Sequence, residues 1–245
     1  MTKKKIKNPF KMILIFTVIL LLFLGILLSP LFRIAQIDIF GNNLVTSQEI
    51  LNEAQFSLGA SMFTLGAGSA ASRVVSLAYV KNVSISRHFP NRVSITISER
   101  VPAANIRLGT TTYILVDTQG VVLETGQAPF QGMPGVSGLT FTNFTVGQPL
   151  QVEQQSAFSD LLVLSLYFAR YNFVPDSIDL SDPRAITFDF GGFLVEFGNM
   201  IEADGKIAYL AEIIVYLTEE FGLFTGVLDA RDFAEDGRIN FRLLQ

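Results

Sequence analysis

The chain has 245 residues, with no Cys, a single His and a formal net charge of −4 at pH 7. Without Cys, disulfide bridges, thiolate metal sites and Cys nucleophiles are excluded. Five lysines lie within the first 11 residues, so the remainder carries 13 Lys and Arg against 22 Asp and Glu. An acidic body of this kind repels phosphate polymers, and we therefore do not expect the protein to bind nucleic acid.

A long apolar run, residues 12–28, follows these lysines and contains only Thr17 and Gly25 besides aliphatic and aromatic residues. As a helix, this run would measure roughly 26 Å, close to the apolar thickness of a bilayer. Residues 26–32 are too bulky for a signal-peptide cleavage site, which needs small residues. The sequence therefore predicts one uncleaved transmembrane helix over residues 12–31.

The distribution of cationic residues predicts the orientation of this helix. The lysines precede it, and only Arg33 follows it closely. Segments rich in Lys and Arg stay in the cytoplasm. We therefore expect a cytoplasmic basic tail, residues 1–11, and a single pass through the cell (inner) membrane, with the bulk of the chain extracytoplasmic.

The first exported segment begins with a predicted strand, residues 33–40, that ends at a Gly-Asn-Asn turn signal. A helix then begins at Thr46, since Thr46 and Glu49 have the spacing of a capping box, in which each side chain binds an otherwise unpaired backbone amide. A second short helix is predicted over residues 69–77. These elements indicate a small α/β layer.

Two runs of alternating apolar and polar residues, 83–89 and 93–98, predict a hairpin. A two-residue loop would set apolar residues opposite polar ones on the same face. A three-residue loop, residues 90–92, instead pairs Phe89 with Val93 and leaves one face apolar apart from Arg87. We therefore predict the second register, which completes a β-α-α-β-β order.

Strands and turns dominate the rest of the chain, and two helices are predicted within it. The first helix, residues 152–170, is rich in Leu, Phe and Ala, and the second, residues 203–221, has an apolar stripe with Lys206 on the solvent side. The predicted strands cover residues 113–117, 121–123, 174–180, 185–190, 193–197, 226–229 and 238–243.

The residues that enzymes use are scarce. His88 is the only His and is predicted on the polar face of the hairpin, and no Gly-x-Ser-x-Gly elbow is present. We therefore expect no enzyme activity, no cofactor and no metal site. The alternative is a membrane-anchored, exported enzyme that modifies the cell wall, for which the sequence offers no nucleophile and base.

Several short motifs, taken in their order and spacing, resemble the FtsQ/DivIB family of bacterial cell division proteins. The resemblance implies an FtsQ-type POTRA domain over residues 33–101 and a larger mixed β-domain with two helices over residues 102–245, in an overall α+β fold. The motifs are Phe40-Gly41-Asn42, Met62-Phe63-Thr64-Leu65, Arg87-His88-Phe89-Pro90-Asn91, Ser98-Glu99-Arg100-Val101-Pro102-Ala103, Asp204-Gly205-Lys206 and Asp229-Ala230-Arg231.

This resemblance implies a non-enzymatic divisome scaffold at the division septum. Expected partners are FtsB/DivIC-like and FtsL-like bitopic proteins, with the POTRA domain as a second candidate docking module for another division protein. Partner binding is expected by β-strand addition, and whether the last strand is an exposed edge or an internal closing strand stays open. The candidate partner-binding residues are Arg231, Arg238, Ile239, Asn240, Phe241, Arg242 and Leu243.

Overall fold

The computed structural model describes residues 9–27, 29–221, 225–233 and 237–243. The chain divides into two compact units, Met1–Glu99 and Arg100–Gln245, called here unit 1 and unit 2. Each unit has its own hydrophobic core and combines helices with a β-sheet. The predicted α+β class is confirmed.

Unit 1 begins with helix α1, Pro9–Leu27, followed by a short 3-10 turn, Pro30–Phe32. The large apolar side chains within residues 10–26 are exposed. None of the helices in the described part of the chain combines the length and the apolar character of a membrane span. Residues 1–8 of the predicted basic tail, and Leu28 of the predicted transmembrane segment, lie outside the described residues.

The rest of unit 1 is a three-stranded sheet with two helices. Strand β3 is central, pairing in parallel with β1 and antiparallel with β2. The apolar side chains of both helices share one core with those of β3, so the helices cover one face of the sheet. The elements are β1 (Gln36–Phe40), α2 (Ser47–Ala54), α3 (Ala67–Val75), β2 (Val80–His88) and β3 (Arg92–Glu99).

The predicted capping box at the start of α2 is confirmed. The side-chain oxygen of Thr46 accepts a hydrogen bond from the backbone N–H of Glu49 at 3.3 Å. In return, the Glu49 carboxylate accepts the Thr46 N–H at 2.8 Å. Both bonds fix the first turn of the helix, which then directs Ile50 and Ala54 into the core.

The predicted register of the β2–β3 hairpin is wrong by one residue on each strand. Val93 pairs with Arg87 and Arg92 with His88, so the three-residue loop is 89–91. Phe89 leaves the ladder because its ring packs against two other aromatic rings, those of Phe63 and Phe32. The apolar face of the hairpin survives, because the relative register of the two strands changes by two residues, which is one full side-chain period, so that Ile85 now pairs with Ile95.

Unit 2 is built on a nine-stranded mixed sheet in the order β12-β11-β10-β9-β8-β7-β4-β5-β6. Helices α4 and α5 share its core with the buried side chains of the strands. The bounds are β4 (Pro102–Leu108), β5 (Thr112–Asp117), β6 (Val122–Gly126), β7 (Gly135–Ser137), α4 (Gln155–Tyr171), β8 (Ser177–Asp179), β9 (Ile186–Phe190), β10 (Phe193–Gly198), α5 (Ala203–Phe221), β11 (Gly226–Asp229) and β12 (Asn240–Leu243).

The position of Lys206 on α5 differs from the prediction. Its side chain is fully buried, and its ammonium group donates hydrogen bonds to the backbone oxygens of Phe197 at 2.9 Å and Asn199 at 3.1 Å. The same group lies 4.8 Å from the centre of the Phe197 ring. Burial lowers the pKa of Lys206, while Glu202 and Asp232 favour its charged form. Lys206 therefore joins the start of α5 to the end of β10.

Candidate partner-binding edge

Strand β12 is the last strand of the sheet in unit 2. Among the described residues, its one neighbouring strand is β11, with Asn240 opposite Asp229 and Phe241 opposite Leu228. In a strand paired on one side, every second residue directs its N–H and C=O groups away from the sheet. The backbone of β12 therefore offers a row of donors and acceptors for another strand.

Two apolar side chains hold β12 on the sheet. Ile239, just before the strand, is only 8% exposed and belongs to the main core of unit 2. Phe241 is 36% exposed, and its ring centre lies 6.4 Å from that of Phe193 on β10. The strand is thus held by a buried residue at its start and a half-exposed aromatic in its middle.

The Phe241 ring needs a glycine beside it. A Cβ atom at Gly226 would lie 2.5 Å from Cε2 of Phe241 and 3.1 Å from the backbone oxygen of Arg242. Real Cβ atoms do not approach other atoms as closely as the first of these distances, so any side chain at Gly226 would displace the ring. Gly226 on β11 therefore sets where Phe241 lies on β12.

Arg231 is held by two carboxylates. Its side chain donates to Asp229, and its Nη2 atom lies 2.9 Å from Oε2 of Glu196. The hydrogen bond from the Arg231 side chain holds the pKa of Asp229 below its ordinary value. The same contact, with the charge of Glu196, raises the pKa of the Arg231 guanidinium. Glu196 and Asp229 occupy paired positions on β10 and β11, so Arg231 is fixed over these two strands.

The structure brings the predicted site residues to one corner of unit 2. Asp229, which binds Arg231, pairs with Asn240. Arg238, Asn240 and Arg242 are exposed, and the backbone of Leu243 pairs with Gly226. The side chain of Leu243 lies outside the described residues.

Sequence reasoning missed the carboxylate partners of Arg231. Glu196 is the one charged residue of β10, whose alternate side chains are buried. That alternation indicates that Glu196 points away from the core, next to its neighbours on the same face. The pairing of β10 with β11 could not be predicted, because the two strands are separated by α5.

The single His of the chain lies in unit 1. Nε2 of His88 lies 2.9 Å from the Ser94 hydroxyl on the exposed face of unit 1. Within the described ranges, no three His, Cys, Asp or Glu side chains are grouped so that they could hold a metal ion. The chemistry that this corner of unit 2 can offer is recognition through backbone hydrogen bonds and charge.

Comparison with known proteins shows which family the chain resembles. Residues 32–100 match the family model of the POTRA domain, FtsQ-type. The cell division protein DivIB of Clostridium acetobutylicum is 25% identical over 76% of this chain and 75% of its own length. The chain is therefore similar to proteins of the FtsQ/DivIB family, with an FtsQ-type POTRA domain at residues 32–100.

Other FtsQ/DivIB relatives match over shorter segments. The cell division protein FtsQ of Corynebacterium glutamicum is 27% identical over 49% of this chain and 54% of its own length. The cell division protein DivIB of Bacillus anthracis is 31% identical over 40% of this chain and 38% of its own length. The chain thus spans about half or less of the length of these two relatives. The predicted resemblance to the FtsQ/DivIB family is confirmed.

Proposed function

We propose that the protein is a non-enzymatic, membrane-anchored scaffold of the bacterial divisome that binds other bitopic division proteins through β12. The observation that carries this proposal is the position of β12 at the end of the nine-stranded sheet, with β11 as its described neighbour. An edge strand accepts a partner strand without rearrangement of the existing sheet. The names of the relatives, which are cell division proteins, support the division role.

The charges around β12 favour an acidic partner segment. Arg238 lies two residues before the strand and Arg242 lies within it, and both are exposed. Arg231 is already bound by Asp229 and Glu196, so it positions the corner and offers less of its charge to a partner. An extended acidic segment would gain backbone hydrogen bonds along β12 and attraction from Arg242. FtsB/DivIC-like and FtsL-like proteins are the partners that the family resemblance implies.

The membrane anchor is the second part of the proposal. Its support is the apolar run of residues 12–28, the lysines before it and the exposure of the apolar side chains of α1. Lipid would cover these side chains and remove their apolar surface from water. The lysines would hold the N-terminus in the cytoplasm and place residues 33–245 outside it, at the division septum.

The sheet of unit 1 offers another edge. Its order is β1-β3-β2, so the nine residues of β2, Val80–His88, pair with β3 alone among the described strands. Strand addition at β2 would allow unit 1 to dock a further division protein. This docking would be independent of β12, which belongs to unit 2.

Proline scanning of β12 tests the proposal. Consecutive N–H groups of a strand point in opposite directions. Of the two variants Asn240→Pro and Phe241→Pro, one therefore removes an N–H group that points away from the sheet, and the other removes an N–H group that binds β11. We expect the outward variant to lose partner capture while the sheet of unit 2 stays folded. Retention of full capture by both variants, with the fold intact, would contradict strand addition at β12.

A charge reversal with a matched control tests the acidic partner. Arg242→Glu should weaken capture of the partners, whereas Arg184→Glu, which reverses an exposed charge in the β8–β9 turn of the same unit, should not. Equal effects of the two variants would contradict a specific role of Arg242.

An assay of cell-wall hydrolysis by purified residues 33–245 tests the non-enzymatic role. Measurable turnover of cell-wall material would overturn it.

A further inference from the structure

Three phenylalanine rings meet at one end of unit 1, although they come from three different segments. Phe32 ends the 3-10 turn after α1, Phe63 precedes α3, and Phe89 lies in the turn between β2 and β3. The ring centres are 5.2 Å apart for Phe32 and Phe63, 6.3 Å for Phe32 and Phe89, and 5.7 Å for Phe63 and Phe89. We call this group the aromatic cluster.

Backbone hydrogen bonds fix the three segments to one another. The N–H of Met62 donates to the backbone oxygen of Phe32 at 2.9 Å, and that of Ala35 donates to Asn91 at 2.8 Å. These bonds join the segment that follows α1 to both of the other segments. The rings are therefore held in place by the fold and are not loose side chains that meet by chance.

The aromatic cluster is well exposed to solvent. Phe89 is 56% exposed and Phe63 is 40% exposed, and Leu31, adjacent to Phe32, is 58% exposed. Aromatic side chains usually stabilise a small domain more when they are buried in its core than when they pair with one another at its surface. This end of unit 1 thus presents a preformed apolar patch that lacks a cover within the described residues.

The chain itself indicates what covers the patch. Phe32 lies five residues after Leu27, the last residue of α1. Five residues span at most about 17 Å even when fully extended, and the 3-10 turn shortens this path. If α1 lies in the lipid, the aromatic cluster stays within about 17 Å of the end of this helix, close to the lipid head groups.

We propose that the aromatic cluster, together with Leu31, inserts into the head-group layer of the bilayer and fixes the orientation of unit 1 on the membrane. This proposal rests on the membrane anchor of the proposed function. Phe and Leu side chains at a membrane surface bury their apolar surface at the boundary between the head groups and the acyl chains, and the exposed Arg33 beside the cluster favours anionic lipids. The opposite end of unit 1, where β2 begins, then points away from the bilayer.

The orientation has a measurable consequence, because β2 runs from Val80 to His88, beside the cluster. Eight steps along a strand cover roughly 26 Å. Val75 ends α3, close to the start of β2, since Leu77 accepts a hydrogen bond from Val80 at 2.9 Å. A reporter at Val75 should therefore lie far above the lipid, and one at Phe89 should lie within it.

Tryptophan fluorescence can test this in the full-length protein, because the chain has no Trp. Single-Trp variants Phe89→Trp, Phe63→Trp, Val75→Trp and Phe16→Trp are reconstituted in vesicles of phosphatidylethanolamine and phosphatidylglycerol. Bromine atoms on the lipid acyl chains, either near the head groups or near the chain ends, quench nearby Trp. Circular dichroism confirms that each variant keeps its fold.

We expect the variants at Phe89 and Phe63 to lose most of their emission to bromine near the head groups, and the variant at Val75 to lose none. The variant at Phe16, within α1, should be quenched by bromine near the chain ends. If Phe16→Trp is quenched and the two cluster variants are not, the membrane contact of the cluster is refuted while the anchor stands. If Phe16→Trp is not quenched, the anchor fails and the proposal with it. Equal quenching at Val75 and Phe89 would also refute the proposed orientation.

Discussion

Replacement of Glu99 by Gln should destabilise unit 1, because this carboxylate closes the loop between β1 and α2. Its two oxygens accept the backbone N–H groups of Asn43 at 2.9 Å, Leu44 at 2.9 Å and Val45 at 2.8 Å. Glu99 lies at the end of β3, so one side chain ties the loop to the central strand. A Gln side chain offers one acceptor oxygen, and its NH2 group would face the remaining N–H donors.

The magnitude follows from the number of bonds that are lost. A hydrogen bond to a charged group contributes about 1.5–3 kcal/mol, and part of this is recovered where water can reach the donors. The bonds to Asn43 and Leu44 are solvent-accessible, while that to Val45 is partly buried. We therefore expect Glu99→Gln to lower the free energy of unfolding of unit 1 by about 2 kcal/mol.

The same interaction predicts a pH dependence. Burial of Glu99 alone would raise its pKa, but the N–H groups of Val45, Leu44 and Asn43 outweigh burial and hold the pKa below the ordinary value of 4.5. A carboxyl whose pKa is lower in the folded state stabilises that state fully above the unfolded pKa. The stabilisation should therefore be complete above pH 4.5 and disappear as the pH falls through the lower, folded-state pKa.

Hydrogen exchange of the loop amides, followed against denaturant and pH in the full-length protein, measures both effects. Glu53→Gln is the matched control, because it removes the same charge from unit 1 and leaves the three bonds of Glu99 in place. Below pH 4.5, the wild type and the control should both lose the part of their stability that depends on the charged Glu99 carboxylate. The Glu99→Gln variant should not show this loss, because it has no carboxylate at this position. Equal stability of the two variants near neutral pH would refute the role assigned to Glu99.

The remaining predictions concern unit 2. Lys206→Met should lower its free energy of unfolding by about 1–3 kcal/mol, because the backbone oxygens of Phe197 and Asn199 lose their donor; thermal unfolding without this loss would contradict the buried role of Lys206. Gly226→Ala should displace the Phe241 ring and cost about 1–3 kcal/mol. Gly226→Ala should also weaken partner capture. Unchanged capture together with unchanged stability would contradict the close contact between Gly226 and the Phe241 ring.

Much of unit 1 follows from its sequence because local signals agree with the tertiary structure. The capping box of Thr46 and Glu49 depends only on residues three positions apart, and it is present as predicted. The hairpin register failed because it depends on Phe89, whose ring is drawn out of the ladder by Phe32 and Phe63. These residues are distant in sequence, so no local pattern contains the contact.

Unit 2 shows where periodicity misleads. The apolar stripe predicted α5 over residues 203–221, and the structure has it at Ala203–Phe221. Lys206 nevertheless lies buried, because the carbonyl groups at the end of β10 provide acceptors that a helix pattern cannot reveal. Strand β4 was missed because Ala103, Ala104 and Asn105 are weak strand formers, although all three are buried.

The sequence predicts which residues form the candidate site, but it does not predict that they form the edge strand of a sheet. Alternation over residues 238–243 indicated a strand, which the structure has at Asn240–Leu243. Its position at the end of the sheet depends on the order of all nine strands, which includes parallel pairs between distant segments. The ion pairs of Arg231 depend on the same order, because Glu196 and Asp229 are neighbours only in the sheet.

Hydrogen exchange of the β12 amides, with and without a bound division partner, tests the central claim most directly. The full-length protein is isolated from its membrane with the partner that co-purifies, and the exchange of residues 240–243 is compared with that of the protein alone. We predict that the amides of β12 pointing away from β11 become protected in the complex, because they donate to the added strand. Unchanged exchange of these amides in a complex that stays intact would contradict strand addition at β12.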